Sequence, residues 1–88
     1  MKTYTLNVFG INYKIKTDRD DEYVSEVARM VDEKMHKINE LYPQGSLART
    51  AVLAAINLAD ELISTRQTYE KQLNQKIGSL IEKLVKVL

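Results

Sequence analysis

The chain has 88 residues, no cysteine and a single histidine, which limits it to one small domain without disulfides or thiolate metal ligands and suits a reducing, intracellular compartment at least as well as export. Thirteen basic against twelve acidic residues leave a formal charge of +1, so nothing in the overall charge drives the protein toward nucleic acid or an anionic membrane. The amino terminus lacks the basic-then-apolar order of a signal peptide, and the most apolar run, residues 51–63, is interrupted by Asn57, Asp60 and Glu61 and is too short to span a bilayer.

Residues 1–17 alternate with period two: Tyr4, Leu6 and Val8 share one side, and Tyr13 and Ile15 resume it after Gly10 and Ile11. A two-residue type II′ turn at Gly10-Ile11 would pair Val8 with Tyr13 and Leu6 with Ile15, putting both pairs on one apolar face. The other face would carry Thr5, Asn7, Phe9, Asn12, Lys14 and Lys16. A lone hairpin is barely stable in water, so its apolar face needs a lid.

The next segment supplies one. It opens with Asp18, Asp20, Asp21 and Glu22, which suit the positive end of a helix dipole, and continues with Val24, Val27, Ala28, Val31, Met35, Ile38 and Leu41 at three- and four-residue spacing. This predicts an amphipathic helix of roughly 22 residues, about 33 Å long. Pro43 and Gly45 end it.

Ser46 is placed to cap a second helix, because its hydroxyl can accept a backbone N–H that has no helical partner. From there onward the chain has no proline and one glycine, Gly78. A continuous helix of about 43 residues would be about 64 Å long, twice what the first helix can cover. The fold class expected is therefore α+β and mostly helical, in the order ββαα: a head at 1–45, and at 46–88 a long helix whose proximal part packs on the head.

The distal part carries Leu73, Ile77, Leu80, Leu84 and Val87 in a strict four-three spacing, the a/d seam of a coiled coil. Projected backward, the seam takes in Ile63, Ala59, Ile56 and Val52, with Arg66 and Glu70 as a polar break between two packing regions. Leaving the distal seam in water would forgo on the order of 10 kcal/mol per chain, as much as the net stability of a whole domain. A homo-oligomer is expected. Ile81, Val85 and Leu88 widen the distal face beyond what two strands need, which favours more than two chains there.

No catalytic, cofactor-binding or metal-binding residue stands out. Ser25, Ser46, Ser64 and Ser79 lack an activating base or a glycine-rich elbow, and three isolated glycines form no phosphate loop. Asp32, His36 and Glu40 share a helical face at four-residue intervals, but without a second histidine or a cysteine they read as a solvated stripe and not as a metal site. Lys71, Lys76, Lys83 and Lys86 are mixed with Glu70 and Glu82 around the distal helix, the pattern of a solvated coiled coil and not of a nucleic-acid stripe. Asn57 and Asp60 lie amid apolar residues and are read as structural polar groups tying the hairpin or loop backbone to the second helix. The best functional surface is the hairpin. Phe9, Ile11 and Asn12 at the turn, with Lys14 and Lys16 beside them, form a docking site for an acidic protein surface, since no acidic residue occurs before Asp18.

Three segments taken in order, Val8 to Ile15, Val31 to Met35 and Ala51 to Leu62, resemble the ZapA family of bacterial cell-division proteins over nearly the whole chain. The resemblance implies a small head joined to a carboxy-terminal coiled coil, and dimers that pair into an antiparallel tetramer. It also implies heads that bind the tubulin-like protein FtsZ in the cytoplasmic division ring at mid-cell, cross-linking its filaments. Some relatives carry a basic residue just after the hairpin glycine; Ile11 stands there in this chain, which shifts the charged part of an FtsZ contact to Lys14 or Lys16. The alternative reading is a generic coiled-coil adaptor with another protein partner.

Overall fold

The computed structural model describes the backbone of residues 1–43 and 45–87 and the side chains through residue 84, residue 44 excepted. Its elements are two strands, β1 (Lys2–Val8) and β2 (Ile11–Thr17), followed by two helices, α1 (Asp21–Leu41) and α2 (Leu47–Val87). The fold is thus α+β and mostly helical in the expected order. The chain divides into two compact units, Met1–Asn57 and a second that begins at Leu58.

β1 and β2 pair antiparallel, with Val8 opposite Ile11, Leu6 opposite Tyr13 and Tyr4 opposite Ile15. This corrects the expected turn. The two central residues are Phe9 (φ 51°) and Gly10 (φ 79°). Positive φ at both positions is the type I′ arrangement, whose twist matches that of the flanking strands. Every pair is displaced by two residues from the expected register, and because side chains alternate with period two, every residue expected on the apolar face stays on it. Ile11 joins that face as the partner of Val8, instead of occupying the turn.

α1 begins where the acidic cluster predicts. Asp20 is its N-cap, in extended conformation, and accepts a 2.9 Å hydrogen bond from the Tyr23 amide. At the other end Tyr42, the residue before Pro43, leaves the helical region at φ −133° and ψ 68° while its amide still reaches the Ile38 carbonyl at 2.9 Å. The covered stripe of α1 consists of buried Val24 and Met35 with half-buried Ala28, Val31 and Ile38. Val27 and Leu41, expected in that stripe, are exposed. α1 packs on β1, and on β2 the inner-face residue Ile15 is half-buried while Ile11 and Tyr13 stay exposed.

Ser46 caps α2 as expected, its hydroxyl accepting from the Arg49 amide at 3.1 Å. Early in α2, Thr50 and Ala54 are buried and complete, with Val24 and Met35, the buried positions among the described residues of the unit. So small a core cannot carry the fold far on its own. The second unit, taken alone, is a run of helix in which every described side chain from Ala59 to Leu84 is exposed.

Tyr4 ties the start of the sheet to the loop before α1, donating its hydroxyl to the Arg19 carbonyl at 2.9 Å. Loss of solvent, and after it the carboxylates of Asp21 and Asp20, raise its pKa above the ordinary 10.0. The folded chain therefore holds the phenolic proton more tightly than the unfolded chain does. Stability from this group is complete below the ordinary tyrosine value and is lost as pH rises through the raised one. Urea-unfolding midpoints should fall over that alkaline range, and Tyr4→Phe should flatten the fall.

Candidate functional site

Phe9 is held in a conformation that costs a non-glycine residue of order 1–2 kcal/mol, so its surroundings must impose it. Two residues of α1 do so. The Phe9 amide donates to Asp32 Oδ1 at 2.7 Å, a short bond of the charge-assisted kind. The Phe9 ring lies tilted against the His36 imidazole, with ring centroids 5.0 Å apart. His36 Nε2 is itself 3.5 Å from Asp32 Oδ1, so one carboxylate faces both the turn amide and the imidazole.

This corrects the reading of a solvated stripe at Asp32, which is half-buried against the hairpin tip; His36 touches the Phe9 ring but stays 58% exposed, and Glu40 is exposed as expected. Among the described residues no group of three or more histidine, cysteine or carboxylate side chains is placed to hold a metal. The sequence offered one signal for the Asp32 contact: a bulky phenylalanine where a tight turn favours asparagine, aspartate or glycine demands an outside partner. Asp32→Ala leaves the part-buried Phe9 amide without its acceptor and should cost about 1–3 kcal/mol, read by urea unfolding at fixed protein concentration.

The docking residues named from the sequence separate into two groups. Asn12, Lys14 and Lys16 share the outer face of the sheet with Asn7, Thr5 and Thr3, their partners on β1. All are exposed, and Asn7 Nδ2 donates to Asn12 Oδ1 at 3.0 Å. Phe9 is turned to α1, and Ile11 lies on the opposite, apolar face. The outer face is thus a polar and basic surface without the two apolar groups expected there.

On α2 the continuous helix sets Val52, Ile56, Ala59 and Ile63, then Leu73, Ile77, Leu80 and Leu84, on their expected spacing. All are exposed in the single chain, Ile56 to 60% and Leu80 to 59%. The side chain of Val87 lies outside the described residues, as do those of Val85 and Leu88. Asn57 is half-buried and Asp60 exposed. No described helix is long and apolar enough to cross a membrane.

Known proteins share this arrangement. The family model described as cell division protein ZapA matches residues 4–84. The ZapA of Bacillus velezensis is 32% identical over 75 residues, spanning 82% of this chain and 88% of the relative. That of Bacillus pumilus is 33% identical over the same shares. Among solved structures, a ZapA mutant dimer from Geobacillus stearothermophilus matches with a TM-score of 0.68 and 27% identity, over 84% of this chain and 86% of that one.

Proposed function

The chain belongs to the ZapA family of cell division proteins, and from that premise we propose that it is a non-catalytic cytoplasmic protein that binds FtsZ at the division site and cross-links its filaments. The observation that carries this reading is the run from Ala59 to Leu84, a helical surface with an apolar seam and no covered side chain. Such a surface is completed by other copies of itself. The likeness to a ZapA dimer supports pairing of two chains, which would cover the proximal seam of Val52, Ile56, Ala59 and Ile63. Pairing of two dimers through the distal seam would set heads at both ends of an antiparallel tetramer.

In this scheme each head contacts FtsZ weakly through Asn12, Lys14 and Lys16, and linkage of several heads supplies the avidity. Phe9 acts from behind the surface, by fixing the hairpin tip against α1. Asn57 and Asp60 are polar groups of the proximal helix with a structural role.

Lys14→Glu combined with Lys16→Glu reverses charge at two exposed positions whose loss costs little stability. Oligomer mass and helicity should stay unchanged, while affinity for FtsZ filaments in a high-speed co-pelleting assay should fall about tenfold or more. Unchanged co-pelleting would move the docking site off the sheet. If the unaltered chain itself failed to pellet with FtsZ, the coiled coil would serve a different partner.

A further inference from the structure

In a hairpin with a two-residue turn, the pair flanking the turn exchanges both backbone hydrogen bonds, and such pairs alternate along the ladder with pairs that exchange none. With Val8 opposite Ile11 beside the turn, the bonded pairs are Val8–Ile11, Leu6–Tyr13, Tyr4–Ile15 and Lys2–Thr17. The backbone N–H and C=O groups of Asn12, Lys14 and Lys16 therefore point away from β1. Among the described residues the sheet has two strands, and no other element takes these groups.

The two faces beside this free edge differ sharply. On the inner face α1 packs on β1, and of the β2 side chains beside the edge Ile15 is half-buried while Ile11 is 38% and Tyr13 45% exposed. On the outer face Lys14 and Lys16 stand two residues apart, and neither forms an ion pair among the described residues. Lysines alone would be ordinary protection of an open edge. Combined with an uncovered apolar shelf on the other face, they select what can pair: a second copy of this edge would set lysine against lysine, whereas an acidic strand would not.

We infer that the free edge of β2 takes up an extended acidic segment as a third strand, its acidic side chains over Lys14 and Lys16 and its alternate apolar side chains against Ile11 and Tyr13. Backbone pairing supplies the general attraction and the period-two side chains supply the selection. The inference rests on the proposed function only in that FtsZ would be the source of the segment.

A capped octapeptide of alternating valine and glutamate, added to the full-length chain, tests this without FtsZ. Its control has the same residues rearranged as a valine block followed by a glutamate block. The alternating peptide should slow hydrogen exchange at the Asn12, Lys14 and Lys16 amides, resolved by NMR, and should bind about tenfold or more tightly than the control. Lys14→Glu with Lys16→Glu should remove that advantage. Equal binding of the control would reduce the surface to bare charge attraction and overturn the inference. So would no binding at millimolar peptide, or full protection of the same amides in the free protein, which would place a second copy on the edge. Failure with the peptide alongside intact FtsZ co-pelleting would sink the third strand alone; peptide binding without FtsZ co-pelleting would sink FtsZ as the partner and leave the edge site standing.

Discussion

A chain ended after Tyr69 should still pellet with FtsZ filaments but should no longer bundle them. The cut falls at the polar break formed by Arg66 and Glu70, removes Leu73, Ile77, Leu80, Leu84 and Val87, and leaves the Met1–Asn57 unit and the proximal seam whole. Every described side chain it removes is exposed in the single chain. Because the proposed bridge between two filaments runs through the distal seam, bundling seen by electron microscopy should drop about tenfold or more, while high-speed co-pelleting falls only by the avidity lost with the tetramer. Ile77→Asp with Leu84→Asp should act in the same direction without shortening the chain, since an unpaired carboxylate buried in a seam costs several kcal/mol. Bundling undiminished in both variants would put the bridge in the heads.

The second large effect concerns the chain on its own. At micromolar concentration no folded 10.1 kDa monomer should exist, because among the described residues four positions are buried in the Met1–Asn57 unit and none in the remainder. A core of Val24, Met35, Thr50 and Ala54 is too small to offset the entropy of ordering a chain of this length. Association through the proximal seam adds the missing burial, so unfolding should be coupled to dissociation and its midpoint should rise with protein concentration. Light scattering that found a folded monomer, or a midpoint independent of concentration over a hundredfold range, would contradict this.

What the sequence revealed and what it hid have separate physical causes. The faces of the hairpin, the start of α1 within the acidic cluster and the cap of α2 at Ser46 are local consequences of period and side-chain chemistry, and they were legible. The turn was not. A type I′ turn with phenylalanine at its first central position is not preferred locally; it exists because Asp32, 23 residues away, accepts the Phe9 amide. For the same reason the four-residue spacing of Asp32 and His36 disclosed their common face but not what lay opposite. The parity of the strands survived this error, since a register displaced by two returns every side chain to its own side. Lys14 and Lys16 were therefore placed correctly on the outer face, while Phe9 and Ile11 were not.

The measurement that bears most directly on filament cross-linking is low-speed sedimentation of purified FtsZ assembled with GTP, with and without this chain. Single filaments stay in solution at that speed and bundles do not. A protein that binds FtsZ through its heads and joins heads through α2 moves FtsZ into the low-speed pellet together with itself, and the Tyr69 truncation leaves FtsZ in the supernatant. If the full-length chain also left FtsZ in the supernatant, at concentrations where high-speed pelleting shows it bound to filaments, binding without bridging would be established and the cross-linking function contradicted.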